Sequence, residues 1–384
     1  MKRVVFLAAT AALFGAMTFA SLGQARLWQS PLDCDRACLV GFVDSYLAGM
    51  VAHDAKRVAF APNAKFTENT QAMSFTEGLW KNATSGPFTN YKIYVPDPVS
   101  GQVGFMGVVR ELTSAAPPAR GATPGAGGAR ATAPAGATGT RGAAAPAPAR
   151  GATPARGATS APPRGGARGF AAAGAQDAAV DRPVQLGLRL KIENRRITEA
   201  EHIIARLSDN DMANFQTPPS RLLETVAEAQ RLPRETMLMI GNSYYDSIVQ
   251  SDGDAAPYSA ECSRRENGRG TAGAAAEEGR GARDCREQMF GRGLAYIQSI
   301  DLRRVWIADV EKGLVFGMTM FRQPYAHVNY ENGEFTVEQD GPGNPFDLPA
   351  VHVFKIIGGR IYDIEAMGFI MPLNSKNGWS EYIR

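Results

Sequence analysis

The sequence predicts an α+β protein. Two tandem cone domains are expected, each a long helix packed on a curved antiparallel sheet, with a disordered insertion in the first. Three observations predict this. The 384-residue chain contains a diverged copy of itself: residues 39–70 align without a gap onto 237–268, 91–110 onto 303–322, and 190–201 onto 354–365. Three blocks recurring in one order mark an internal repeat. Each copy reads as helix first and strands after. Between two strands of the first copy, residues 113–176 consist almost wholly of Ala, Gly, Pro, Thr, Ser and Arg, without Asp or Glu.

The N-terminus comes first in order. Lys2 and Arg3 precede an apolar stretch from Val4 to about Leu22, and Gly23-Gln24-Ala25 supplies small residues. Residues 1–25 therefore read as a secretory signal, with an uncleaved anchor as the alternative. Export permits disulfides. Four cysteines allow three connectivities. Local pairing is preferred: Cys34 with Cys38 at the entrance to the first helix, and Cys262 with Cys285 at the base of a Gly/Ala/Arg-rich loop. Cys-x3-Cys without a nearby His is a weak zinc pattern.

Leu39, Phe42, Val43, Tyr46, Leu47 and Met50 fall on one face of a helix over 39–52, which Asp35 caps, and Met237–Gln250 repeats the pattern. Strands follow at Tyr91–Val95 and Val103–Val109, matched by Arg303–Ala308 and Leu314–Phe321. A closing hairpin, Gln185–Glu193 with Arg196–Ala205, recurs as Val351–Ile357 with Arg360–Phe369 around a Gly358-Gly359 turn. The expected domains are 34–207, containing the insertion, and 237–384, joined by a linker over 208–236 and packed as an internal pseudo-dimer.

The insertion cannot bury enough apolar surface to offset its ordering entropy. The formal net charge of +3 falls to +1 without Lys2 and Arg3, and to −6 without the insertion's seven arginines. The folded body is thus mildly acidic. Weak adhesion of the insertion to anionic envelope polymers or nucleic acid is one reading; a plain linker is preferred, and no specific nucleic-acid partner is expected.

Cys34-Asp35-Arg36-Ala37-Cys38-Leu39, Phe66-Thr67-Glu68-Asn69, Glu77-Gly78-Leu79-Trp80, Arg189-Leu190-Lys191-Ile192 and Glu365-Ala366-Met367-Gly368-Phe369 resemble a secreted bacterial and fungal family of unknown function. More broadly, the helix, polar strand and closing hairpin resemble the SnoaL-like branch of the nuclear-transport-factor-type (cystatin-like cone) superfamily. The resemblance implies a cone with a pocket between sheet and helices. That fold hosts isomerases, dehydratases, cyclases, epoxide hydrolases and non-catalytic binders, so it leaves the activity open.

G-x-S-x-G, P-loop and H-E-x-x-H motifs do not occur, and Gly268–Gly273 matches G-x-G-x-x-G in letters only. No cofactor or metal is expected. Candidate site residues are therefore polar groups facing a cone interior. His352 shares a strand face with Phe354, and Glu365 on the adjacent strand would complete an acid/base pair. Glu266, beside Asn267, is a second candidate base, although Glu-Asn also suits a turn. Tyr244, Tyr245, Asp246, Arg322 and Phe354 are candidate substrate contacts. Tyr46, Glu68, Asn69 and Glu201 are their first-repeat equivalents. Leu188 stands where the second copy has His352, so the second copy is the better candidate. Residues 323–349 would cover its pocket. The expected function is cofactor-free acid/base chemistry, as a lyase, isomerase or hydrolase, on a small oxygenated organic molecule. The alternatives are a non-catalytic binder of such a molecule and an envelope-associated structural protein.

Overall fold

The computed structural model describes residues 34–114, 179–276, 284–290, 294, 297–324, 327–331, 334–338 and 345–379. The expected signal segment, nearly all of the expected insertion and the side chains of 325–344 lie outside the described residues.

Each copy opens on a 16-residue helix, α1 over Arg36–Val51 in the first. Asp35 caps it by accepting the Cys38 amide at 2.8 Å, and the Cys34–Cys38 disulfide closes the same turn. Strands β1 (Phe60–Glu68) and β2 (Gln71–Ala72) follow, then the short helix α2 (Leu79–Asn82). Strands β3 (Ala83–Ser85), β4 (Lys92–Asp97), β5 (Gln102–Ser114), β6 (Ala179–Glu193) and β7 (Arg196–Arg206) complete the first sheet. The connecting segment holds helix α3 (Ser220–Leu223). The second copy then repeats the order. It consists of helix α4 (Arg234–Val249), β8 (Tyr258–Glu266), β9 (Arg269–Ala272), α5 (Cys285–Met289), β10 (Ser299–Asp309) and β11 (Leu314–Gln323). After β12 (His327–Glu331) and β13 (Glu334–Glu338), a two-stranded ribbon inside the expected covering segment, come β14 (Phe346–Ile357), β15 (Arg360–Gly368) and β16 (Met371–Pro372). Cys262 and Cys285 form the second disulfide, tying β8 to α5.

The first sheet runs β2-β1-β7-β6-β5-β3, with β4 also on β5; the second runs β9-β8-β15-β14-β11-β10, with β16 on β14. Five strands of each sheet correspond in order, as the duplication requires; β10 alone takes the edge that β3 and β4 share on β5, and β16 has no counterpart among the described strands of the first sheet. One correction applies: the sheets are mixed. β1 lies parallel to β7, and β8 parallel to β15. Most of a copy separates the two members of each pair, which leaves chain enough for a parallel return. Among the described residues no helix is long and apolar enough to cross a membrane.

Each sheet curls around its own helix over a separate apolar core. A third core lies between the two sheets and includes Ile93, Met106 and Ile203 from the first copy with Phe316, Val351 and Met367 from the second. Both faces of each central strand are therefore buried. A pseudo-two-fold relation governs this seam. Arg36, at the start of α1, pairs with Asp309 of the second copy, and Arg234, at the start of α4, donates to Asp97 of the first at 2.8 Å. Arg36 and Arg234 are equivalent in the repeat, as are Asp97 and Asp309.

Candidate functional site

The inner face of each cone is built from one helix and the two central strands. In the first, Tyr46 on α1 meets His202 on β7, its hydroxyl 2.8 Å from His202 Nε2. Trp80 Nε1 donates to the same hydroxyl at 2.9 Å. His202 Nδ1 lies 3.1 Å from Glu68, whose carboxylate also accepts the Leu79 amide at 2.9 Å. Gly78, at φ +57°, permits that clasp, because a Cβ there would sit 2.3 Å from the Glu68 carboxylate. All four side chains are buried and satisfied by one another. Glu68 and Tyr46 are thus brought together, with His202 and Trp80, in a closed network.

The second cone differs on the same rungs. Leu47, Phe105 and Leu188 fill the first interior. Their counterparts are Tyr245, Gly317 and His352. The register is equivalent: Phe105 pairs with Leu188, and Gly317 with His352. Losing the phenyl ring at Gly317 makes room for the Tyr245 hydroxyl, which would lie 3.2 Å from a Cβ there. His352 sits among Tyr244, Tyr245, Phe321 and Phe354, with ring centroids 5.2–5.7 Å away. On this inner face four buried polar atoms lack a hydrogen-bond partner: Tyr245 Oη, Thr319 Oγ1, Gln323 Oε1 and His352 Nδ1. The Tyr245 and Thr319 hydroxyls are neighbours: Thr319 is near enough to lower the Tyr245 pKa against the effect of burial, but the two fall outside hydrogen-bonding geometry. On the first cone's inner face the comparable atom is Thr113 Oγ1, at the far end of β5.

Electrostatics follow from burial. Desolvation pushes His352 well below the ordinary histidine value, and the nearby charge of Arg264 pushes the same way. The imidazole is therefore neutral at physiological pH. Arg264 is itself buried; it donates through Nε to the Tyr244 hydroxyl at 2.9 Å and through a terminal nitrogen to Glu266 at 2.9 Å. Tyr244 accepts that bond, so its own proton remains available. Burial raises its pKa, and Arg264 opposes the rise. Burial likewise raises Tyr245 well above the usual range.

Of the residues proposed from sequence, His352, Tyr244, Tyr245 and Phe354 converge, with Glu266 behind Tyr244 through Arg264. Others do not join them. The pairing of His352 with Glu365 is corrected: Glu365 lies opposite Val353, one residue from His352, and so projects from the other face of the sheet. There it accepts the Tyr91 hydroxyl of the first copy at 2.7 Å. Its equivalent Glu201 also faces the seam, between Arg189 and Arg304. Arg322 points away from the interior and is held by Asp301 and Asp347. Asp246 binds Arg303 at 2.6 Å on the half-exposed side of α4. Asn267, at φ +47°, and Gly268, at φ +77°, form the β8–β9 turn, and Asn267 ties it to Gly368 at 3.1–3.2 Å. Asn69 serves the same turn role, accepting the Ile204 amide. Arg264, Thr319, Gln323 and His202 were missed. Arg264 replaces Phe66 of the first copy, and that change of type was the legible signal. Among the described residues no cluster of His, Cys, Asp and Glu could hold a metal ion.

A family model, "Domain of unknown function (DUF8021)", matches residues 230–368, which span α4 to β15. Two solved structures are similar in fold. One is a "putative polyketide cyclase" from Silicibacter sp. TM1040, at 13% identity and TM-score 0.24, covering 36% of this chain and 91% of that one. The other is AclR, a "putative hydroxylase" from Streptomyces galilaeus, at 12% identity and TM-score 0.25, covering 36% of this chain and 83% of that one. No curated protein matches the chain.

Proposed function

We propose that the second cone is the working copy and takes a small, largely apolar, oxygen-bearing organic molecule, while the first cone is its structural partner. One observation carries this reading. At equivalent rungs an interior filled by Leu47, Phe105 and Leu188 gives way to Tyr245, Gly317 and His352, whose polar atoms have no protein partner. A buried polar group without a partner costs about 1–3 kcal/mol, a cost a ligand oxygen would relieve. In this reading the Tyr244 hydroxyl, backed by Arg264, donates to a substrate oxygen, and neutral His352 carries a proton to or from the neighbouring carbon. That is lyase or isomerase chemistry without a cofactor. The two disulfides support a secreted protein acting in an oxidising compartment.

A second reading is non-catalytic binding. It is favoured by the absence, among the described residues, of any carboxylate hydrogen-bonded to His352. The deciding experiment is a thermal-shift and co-purification screen with small carbonyl compounds on the intact chain. A ligand that stabilises the protein, but not a His352→Leu variant, supports the site. Turnover of that ligand separates catalysis from binding. Equal stabilisation of both proteins would move the site elsewhere.

A further inference from the structure

The seam between the cones carries an asymmetry that the proposed site does not use. On the second cone, the segment just ahead of α4 covers the tip of the β10–β11 hairpin. Val226 donates its amide to Glu311 O at 2.9 Å and packs beside Gly313, while Leu222 is buried in the inter-sheet core. Lys355 donates to Glu224 O at 2.6 Å and Lys312 O at 2.7 Å, and Arg221 lies 3.4 Å from Asp363.

Among the described residues no segment covers the equivalent surface on the first cone in this way. Lys191 and Glu199 stand where Lys355 and Asp363 stand, and Ser100 stands for Lys312. With Gln102, Leu238 and Trp306 they line a groove of about 460 Å³. Lys191 reaches only the side chains of Glu193 and Glu199 and stays 33% exposed. Val99, the counterpart of Glu311, is 69% exposed, and Trp306 is 39% exposed. The cations here are already paired with acids, including Arg189 with Glu199 and Arg234 with Glu235. Each cation of the groove is therefore already held by at least one acid. The groove offers what its mate offers: strand-end backbone, one lysine and, in Leu238 and Trp306, some apolar surface, which suits an extended peptide.

We propose that this groove is a docking site for the segment of this same chain that precedes α1, residues 26–33, which reaches it as residues 224–231 reach the second cone. The repeat sets the register. Arg36 and Arg234 are equivalent, so Trp28 falls where Val226 lies, and six residues lead from Trp28 to Cys34 as from Val226 to Leu232. Leu27 and Trp28 supply apolar surface for Trp306 and Leu238, and the backbone supplies a donor to Val99 O and an acceptor to Lys191. Docked, the segment would close the second half of the seam and restore the two-fold pattern.

Two measurements on the secreted chain test this. In a chain beginning at Arg26, the amide of residue 28 should exchange at least 10-fold more slowly than the same amide in a free peptide of residues 26–33. Equal exchange would overturn the proposal. A photo-crosslinking benzoylphenylalanine in place of Trp28 should join to residues 99–102, 191 or 306 of its own chain. Cross-links only to a second copy, or only outside the groove, would overturn it too.

Discussion

His202 and His352 occupy the same rung of their cones, on opposite members of the closing hairpin, with Leu188 and Ala366 beside them. One is fully bonded and the other is not, so they should respond in opposite ways to substitution. His202→Leu breaks a buried chain from Glu68 to Tyr46 and should destabilise by about 2–3 kcal/mol in urea unfolding. His352→Leu, which copies Leu188, removes an unpartnered buried nitrogen and should leave stability unchanged or raise it by about 1 kcal/mol, while abolishing ligand binding. Glu365 supplies a pH test. Burial is the largest effect on it and raises its carboxyl to about 7, against 4.5 in the unfolded chain. A raised carboxyl holds its proton more tightly when folded. Its presence therefore favours folding below about 4.5 and costs stability progressively as pH rises to about 7. Glu365→Gln keeps an acceptor for Tyr91 and removes that cost. The variant should match the parent near pH 4 and exceed it in melting temperature at pH 8; a constant difference across this range would contradict the assignment.

At the scale of elements, the two long helices begin on arginines that reach across the seam to buried aspartates. Removing one member of a buried pair costs about 3–5 kcal/mol, because the other is left desolvated and unpaired. Arg36 and Arg234 are each partly exposed, so water re-solvates the orphaned aspartate and a loss nearer 2 kcal/mol is expected for either Arg→Ala change. The two losses should be similar, since the pairs are pseudo-two-fold mates, and chemical denaturation of both variants checks this. The helices, hairpins and disulfides were legible because each rests on signals close in the chain: apolar spacing at Leu39, Val43, Tyr46 and Met50, the Gly358-Gly359 turn, and cysteines that stand four residues apart (Cys34, Cys38) or flank one Gly/Ala/Arg-rich loop (Cys262, Cys285). The parallel pairings of β1 with β7 and β8 with β15 were not, since nothing local in a strand states which way its neighbour runs.

Across the whole molecule, the two sheets meet face to face and share a core, giving within one chain the pseudo-dimer that the duplication implies. The expected insertion enters where β5 and β6 pair, with Ser114 directly opposite Ala179. Their ends are adjacent, so a tight turn can bridge them. Replacing residues 115–178 with Asn-Gly should leave the melting temperature of the chain within about 2 °C, because loop closure depends only weakly on length. A large loss in differential scanning calorimetry would mean that the excised residues pack against the cones.

Sequence alone was enough for the duplicated α+β unit, for its helices and hairpins and for the local pairing of its cysteines, and it made polar residues of the second copy the candidates for a site. Only the tertiary structure decided which of those residues share an interior. In β14 nearly every residue is buried on both sides, one face in the cone and the other in the seam. Period-two alternation therefore places His352 and Glu365 on opposite faces without telling which face is the cone interior. The register of β15 against β14 sends Glu365 into the seam and leaves His352 in the cone, and the step from Phe105 to Gly317 makes room for the Tyr245 hydroxyl only once β11 and β14 are paired.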